Sequence, residues 1–412
     1  MIGIKAASTH LFMVPRHRQP GLWAREGEVV RVLFSSTSGY GHIFPMVPLA
    51  RAFAAAGHEV LWATGRDACP RVAAAGLGVV PAGLWGQSRA ELKRRLFTAM
   101  LDVRSEKRGG FIYPRLFGQG LVPAMFADLL PLARSWRPGL LVHEQAELAA
   151  PLVGTLIGAR CVTHAFGGAV PAPFIQEAGE YLAPLWSEHG QSIPPHAGCF
   201  TSSYLDICPP KVQTVSLRHA SDVLALRPVL YAGEQSAKLP ACLNGDRRPL
   251  VYLTLGTVDN QSAVLRAAAE GLAGLGCQIL VTVGPDGDPA ALGPQPSHVM
   301  VERYVSQIDV LPHCTAVVSH GGSGTFLGAL GHGLPQLCLP QGADQFRNAQ
   351  GATDSGAGLS LRPDEATPEA IAHAVRRILV EDSFRAAALG LAEDIRAMPP
   401  PAEVVVALER HA

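Results

Sequence analysis

Residues 315–350 limit the fold more than any other stretch: T-A-V-V-S-H-G-G-S-G-T-F-L-G-A-L-G-H-G-L-P-Q-L-C-L-P-Q-G-A-D-Q-F-R-N-A-Q. Ala316, Val317 and Val318 form a short apolar run of the kind buried on both faces of a parallel sheet. His320 and the small residues Gly321, Gly322, Ser323, Gly324 and Thr325 follow. Phe326, Leu327 and Leu330 then recur at helical spacing, so the glycines lie between a strand end and a helix start. A strand, a glycine turn and a helix in that order belong to an α/β architecture with helices covering a parallel sheet.

Such a turn is suited to hold phosphate. Glycine lets the backbone approach an anion with no Cβ in the way, successive N–H groups point at it, and the helix end adds a favourable field. Ser323 and Thr325 offer hydroxyl donors and His320 a ring N–H, and a diphosphate is the natural guest. The same glycines also suit a tight turn or a close helix–sheet contact, and the residues alone leave both readings open. The spacing is neither G-x-G-x-x-G nor G-x-x-x-x-G-K-[ST], so the usual dinucleotide and nucleoside-triphosphate signatures are absent. A second apolar strand, 336–339, closes at Pro340 and leads to Asp344 and Gln345. A carboxylate and an amide at that strand end can accept from and donate to vicinal hydroxyls. Phosphate on one loop and hydroxyls on the next describe a nucleotide-sugar.

The first half repeats the pattern. Residues 29–35 read as a central strand, 37–42 (T-S-G-Y-G-H) as its loop, and Met46, Leu49, Ala50 and Phe53 as one side of a helix. A strand at 59–63 completes a β-α-β opening and places His42 beyond a strand's C-terminal end, where open α/β sheets bind ligands. Histidine there is suited to general-base work near neutral pH; capping the next helix is the alternative. A strand at 139–143 precedes Glu144, Gln145 and a helix over 146–156. If the two strand ends converge, Glu144 orients the imidazole of His42 as the third member of a base relay does.

Residues 79–135 read as loops and short helices, with Trp85, Phe97, Phe111, Tyr113, Phe117 and Phe126 lining an apolar groove or filling core. Short sheet elements are predicted at 201–208 and 212–217, and a Gly/Pro-rich loop at 165–173. The expected boundaries are an extension at 1–28, a first domain at 29–227, a linker at 228–249, a second domain at 250–398 and a last helix at 399–412 that could pack back on the first domain. The second domain opens with a strand at 250–255 ending in Gly256 and Thr257. At 412 residues the chain exceeds one ordinary core and fits two. Lys plus Arg equal Asp plus Glu at 34 each, so no charge excess points to nucleic acid or acidic lipid. Eight cysteines without a C-x-x-C pair, no apolar run of membrane-spanning length and no secretion leader predict a cytoplasmic protein.

The segment from Phe34 to His42 with Pro45 and Leu49, Thr257 after a strand, and H-G-G-x-G-T at His320 to Thr325 with Pro335, Pro340, Asp344 and Gln345 resemble the family 1, GT-B-fold glycosyltransferases. Over about residues 30–400 the chain is similar to bacterial enzymes that decorate macrolides and enediynes, and most similar to the calicheamicin glycosyltransferases. The resemblance implies two Rossmann-like domains facing across a cleft, with acceptor bound by the first and nucleotide-sugar by the second.

By position, it makes His42 the base that deprotonates an acceptor hydroxyl and Glu144 its orienting partner. His320, Gly322, Ser323, Gly324 and Thr325 hold the donor diphosphate, and Thr257 touches phosphate or sugar. Tyr304 and Val305 meet the nucleobase, at a position where many relatives carry tryptophan, and Asp344 and Gln345 hold the donor sugar. The implied reaction is inverting transfer of a deoxysugar, rhamnose being one candidate, from a dTDP-sugar to a polyketide or enediyne hydroxyl, with dTDP released and no cofactor or metal required. A non-catalytic sugar-nucleotide-binding partner protein and an epimerase or phosphorylase of the same fold are the alternatives. No nucleic-acid or membrane partner is expected, and a homodimer is left open.

Overall fold

The computed structural model describes residues 29–104, 107–231, 233, 248–256, 262–284 and 287–410. The N-terminal extension, most of the linker and Thr257 lie outside the described residues. Two parallel sheets, each flanked by helices, form a GT-B fold of two Rossmann-like units. The first has β1 (Arg31–Ser35), β2 (Glu59–Thr64), β3 (Gly78–Pro81), β4 (Leu140–Glu144), β5 (Arg160–His164), β6 (Tyr204–Asp206) and β7 (Val223–Ala225), in spatial order 3-2-1-4-5-6-7. The second has β8 (Leu250–Thr254), β9 (Gln278–Thr282), β10 (Val299–Glu302), β11 (Ala316–Ser319), β12 (Gln336–Cys338) and β13 (Gly358–Ser360), in order 10-9-8-11-12-13.

Central strands are apolar along their whole length because helices cover both faces of each sheet. All five residues of β4, β8 and β9 are buried. In the first core Phe34 stacks on Trp62 with ring centroids 5.2 Å apart, and the Trp62 indole N–H donates to Ser36 Oγ at 2.9 Å. The polar edge of that aromatic pair is thereby satisfied within the core.

Chain order reverses at one place in each sheet, between β1 and β4 and between β8 and β11. The paired ends there are Ser35 with His143 and Thr254 with Ser319. At such switch points the loops leaving neighbouring strands diverge and open a crevice beyond their carboxyl ends. The segment carrying His42 and the strand end at Glu144 lie at the first, and the loops carrying Gly256 and His320 leave the second.

Some expectations need correction. Residues 212–217 are not a strand; the edge position belongs to β7, whose outer residues are exposed. The region 79–135 holds two helices of 15 residues, Gly86–Met100 and Val122–Trp136, rather than loops and short helices. The helix after β4 begins at Ala150, four residues later than expected, because Glu144 and Glu147 tie up the intervening N–H groups of Ala146 and Ala149.

The C-terminal helix Pro401–Arg410 lies against the helix Val47–Ala55 of the first unit. Glu409 pairs with His58 at 2.8 Å, and the carbonyl of Leu408 accepts from Arg160 at 3.1 Å. Arg227, at the end of the first unit, donates from its backbone to Pro399 and from its side chain to Met398. The two chain crossings between units are therefore fastened to each other. Among the described residues no single helix is long and apolar enough to cross a membrane.

Candidate active site

His42 lies in a one-turn helix, Tyr40–Ile43, that starts just beyond β1. A side chain on Gly39 would place its Cβ 2.6 Å from His42 Cδ2, so the missing side chain there is what lets the ring lie back against the turn. Glu144 is the last residue of β4 and is fully buried. The adjacency of β1 and β4 brings the two together across 102 residues of chain, with His42 Nδ1 3.0 Å from Glu144 Oε1. The same oxygen accepts from the Thr37 backbone and hydroxyl at 3.2 and 3.0 Å, and Oε2 accepts from Ala146 N.

Burial alone would raise the Glu144 pKa. The charge and hydrogen bond of His42, with the Ala146 and Thr37 donors, outweigh it and hold the carboxyl below its ordinary value. Glu144 is thus an anion with a fixed orientation, held against one nitrogen of an imidazole that is itself partly open to solvent. Its other nitrogen, Nε2, is left for a proton from outside. Phe166 and Phe117 flank the ring, with centroids 4.5 and 5.5 Å from it.

Behind the pair lies a layer of buried ionisable groups. His143 sits between the Glu147 carbonyl at 2.7 Å and the Thr163 hydroxyl at 2.9 Å. Burial lowers its pKa, and that of His164, to about 4. Burial also raises Glu147 to about 7, outweighing the N–H of Ala149 that donates to its carboxylate. Among the loosely grouped aromatics, Tyr113 and Phe117 come next to this crevice. Phe126 belongs to the core, and Trp85 and Phe97 are exposed.

The second crevice is built mostly from backbone. Gly321 adopts φ +78°, the left-handed region that favours glycine, and Gly322 caps the helix Ser323–Gly331. The N–H groups of that helix's first turn have no partner inside the helix. A Cβ on Gly256 would lie 2.6 Å from the His320 ring, and one on Gly322 2.4 Å from its Nε2. His320 is therefore sandwiched between the ends of β8 and β11. Ser323 Oγ donates to Asp344 Oδ2 at 2.6 Å. Asn348, one helical turn beyond Asp344, donates to the Gly321 carbonyl, to Ser323 Oγ and to Asp344 Oδ2 at 2.8, 3.0 and 3.2 Å. Thr325 Oγ1 accepts from Gln307 at 2.8 Å.

The structure thus groups His320, Gly322, Ser323, Gly324, Thr325 and Asp344 in one loop cluster. Gln345 uses its side-chain oxygen to close its own turn, accepting from Gln341 N and Gly342 N at 2.7 and 3.0 Å. Tyr304 is exposed and Val305 buried in the loop after β10. Sequence reasoning missed Thr37, Phe166, Gly167, Gln307 and Asn348. Only Asn348 carried a local signal, its i,i+4 spacing from Asp344. Among the described residues no group of three or more His, Cys, Asp or Glu could hold a metal ion.

Comparison with known proteins agrees with this layout. Residues 268–410 match the family model described as erythromycin biosynthesis protein CIII-like, C-terminal domain. The chain is 35% identical over 386 residues to the L-demethylnoviosyl transferase of Streptomyces niveus, covering 92% of this chain and 97% of that protein. The chain belongs to the family 1 GT-B glycosyltransferases of antibiotic biosynthesis. It is also 35% identical over 399 residues to the elloramycin glycosyltransferase ElmGT of Streptomyces olivaceus, with the same two coverages. Among solved structures, the spinosyn rhamnosyltransferase SpnG complexed with thymidine diphosphate superimposes with a TM-score of 0.78 at 28% identity, over 92% of this chain and all of that one. This glycosyltransferase carries different chemistry at its two crevices, a buried carboxylate against an imidazole at one and a helix N-terminus in a glycine turn at the other.

Proposed function

We propose that this glycosyltransferase moves a deoxysugar from a dTDP-sugar to a hydroxyl of a polyketide-type natural product, by direct displacement with inversion. The observation that carries the reading is the His42 Nδ1 to Glu144 contact at 3.0 Å, with the carboxylate fully buried and the imidazole partly open. Naming of similar proteins after deoxysugars and antibiotics, and the thymidine diphosphate complex of SpnG, support the donor class.

In this reading the acceptor hydroxyl gives its proton to His42 Nε2 while its oxygen forms a bond to the anomeric carbon. The bond from that carbon to the diphosphate oxygen breaks on the opposite face, and its electron pair leaves with dTDP. Glu144 stabilises the imidazolium that results. The first-turn N–H groups of the helix Ser323–Gly331, with His320, Ser323 and Thr325, meet the charge growing on the diphosphate. Asp344 and Gln345 hold sugar hydroxyls, Tyr304 with Val305 receives the base, and Thr257, outside the described residues, keeps its sequence-based assignment to phosphate or sugar. Tyr113, Phe117 and Phe166 give the acceptor side an apolar wall.

Titration calorimetry of dTDP, UDP, GDP and NAD, followed by transfer assays with dTDP-deoxysugars, tests this. Selective dTDP binding and sugar transfer that requires an acceptor are expected. Donor turnover without acceptor would favour a phosphorylase or epimerase, and no nucleotide binding to folded protein would overturn the donor site. A panel that includes dTDP-rhamnose and enediyne, macrolide and aromatic polyketide acceptors decides the finer choice, for which an enediyne acceptor is one option.

A further inference from the structure

Two adjacent residues in the loop after β5 touch both halves of the site. Phe166 packs on His42 with ring centroids 4.5 Å apart. A Cβ on Gly167, the next residue, would lie 1.9 Å from Ser323 Oγ, 2.4 Å from Ser323 Cβ and 3.7 Å from Asp344 Oδ2. The backbone of Gly167 is outside the left-handed region, so the glycine is required by this approach and not by local conformation.

The loop is also held stiffly. Gln145, the residue after Glu144, donates to the Gly168 carbonyl at 3.1 Å and accepts from Val170 N at 3.2 Å and the Tyr204 hydroxyl at 2.7 Å. Gln213 accepts from Ala169 N at 3.1 Å and is itself anchored on Asp206 at 3.2 and 3.3 Å. Two amides, Gln145 buried and Gln213 half-buried, thus satisfy the backbone of residues 168–170, and such a network resists local shift.

We propose that Phe166 and Gly167 form a rigid strap through which the position of the donor loop sets the position of the catalytic histidine. Gly167 packs against Ser323, which is itself bonded to Asp344, and Phe166 passes the same displacement to the His42 ring. Both are positioning residues. The proposal rests on the donor and base roles given above, and it explains how seating of a donor readies a base on the other domain before an acceptor is deprotonated.

A double-mutant cycle tests it, with Gly167→Ala made in the native and in the Ser323→Gly background. The added methyl should lower kcat/KM for donor by about 10-fold in the native background and by less than about 2-fold where Ser323 has lost the atoms it meets. Gly167→Ala should lower the melting temperature only where Ser323 is present, since overlap with that side chain is the strain it adds. Equal losses in both backgrounds would overturn the strap. Phe166→Leu should lower kcat and shift its pH profile while donor KM is kept; an unaltered kcat and profile would also overturn it. Small-angle scattering of the four proteins of the cycle gives a reading independent of chemistry. Gly167→Ala should enlarge the particle only when Ser323 is present, and equal dimensions in all four would refute the contact even if every dTDP-sugar failed as donor.

Discussion

Behind the β1/β4 crevice lie His143, Glu144, Glu147 and His164, all buried and all ionisable. Behind the β8/β11 crevice the buried polar residues include Thr254, Ser319, Ser323, Thr325, Gln336, Gln345 and Asn348, none of them charged. Among the described residues every buried His, Asp or Glu falls in the first half of the chain. The two switch points share one topology and solve different problems. A base needs a tuned charge, which only particular side chains supply. A diphosphate brings its own charge and needs N–H groups at close range, which the backbone supplies wherever Cβ atoms are missing. Activity at the first crevice should therefore depend on side-chain identity, and at the second on backbone shape.

The largest expected effect is at the first crevice. His42→Ala should lower kcat by about 10³-fold, the range for loss of a general base, with donor affinity kept. Glu144→Gln preserves shape and removes only the charge, so it isolates identity from packing. Its kcat should fall to within about 10-fold of the His42→Ala value, because a neutral amide neither orients nor stabilises an imidazolium. Steady-state kinetics with saturating donor checks both, and a Glu144→Gln enzyme of native kcat would break the comparison at its stronger end.

Stability should show the same asymmetry, on a somewhat smaller scale. Glu147 has its pKa raised by burial to about 7 from 4.5. The native state therefore holds a proton there that the unfolded chain has released, and stability falls as pH rises through that window. A shift of this size corresponds to about 3 kcal/mol. Glu147→Gln removes the dependence, so the variant should gain about 3 kcal/mol relative to the native protein between pH 5 and pH 8. The difference between the two proteins isolates Glu147 from the oppositely signed contributions of His143 and His164. All five tryptophans lie in the first half, at 23, 62, 85, 136 and 186, so urea unfolding followed by their fluorescence reads the relevant domain. A pH-independent difference would mean that Glu147 is neutral or ionised throughout.

The unequal legibility of the two crevices in the sequence has the same cause. Residues 316–325 are contiguous, and a strand, glycine turn and helix can be read from spacing because the site is local backbone. The pairing of His42 with Glu144 depends on β1 lying beside β4, which no local pattern states, and so it could be written only as a condition on strand order. Thr37, Phe166 and Gly167 act through neighbours far away in the chain and left no periodic trace. Buried parallel strands were legible as apolar runs. The helix Gly86–Met100 buries no residue and so showed no apolar face, and the helix Val122–Trp136, whose buried residues do recur at helical spacing, is interrupted by Pro131. The short edge strand β7 was misplaced to 212–217 because its outer residues are exposed and a three-residue strand carries little alternation.

The second crevice offers the smallest effects and the sharpest contrast. Gly322→Ala adds one methyl, 2.4 Å from His320 Nε2, at a backbone of φ −63° that alanine adopts freely. Ser323→Ala removes a hydroxyl that donates to Asp344 at 2.6 Å, yet leaves the backbone path untouched. If shape governs this crevice, the added methyl should weaken dTDP binding by about 10-fold, since His320 and the first-turn N–H groups must shift apart. Loss of the hydroxyl should weaken it by about 3-fold, near the net worth of one hydrogen bond. Calorimetric titration of dTDP into the two variants at one ionic strength measures the order directly. The reverse order would mean that the Ser323, Asp344 and Asn348 cluster binds donor as a set of side chains. The second crevice would then follow the rule of the first.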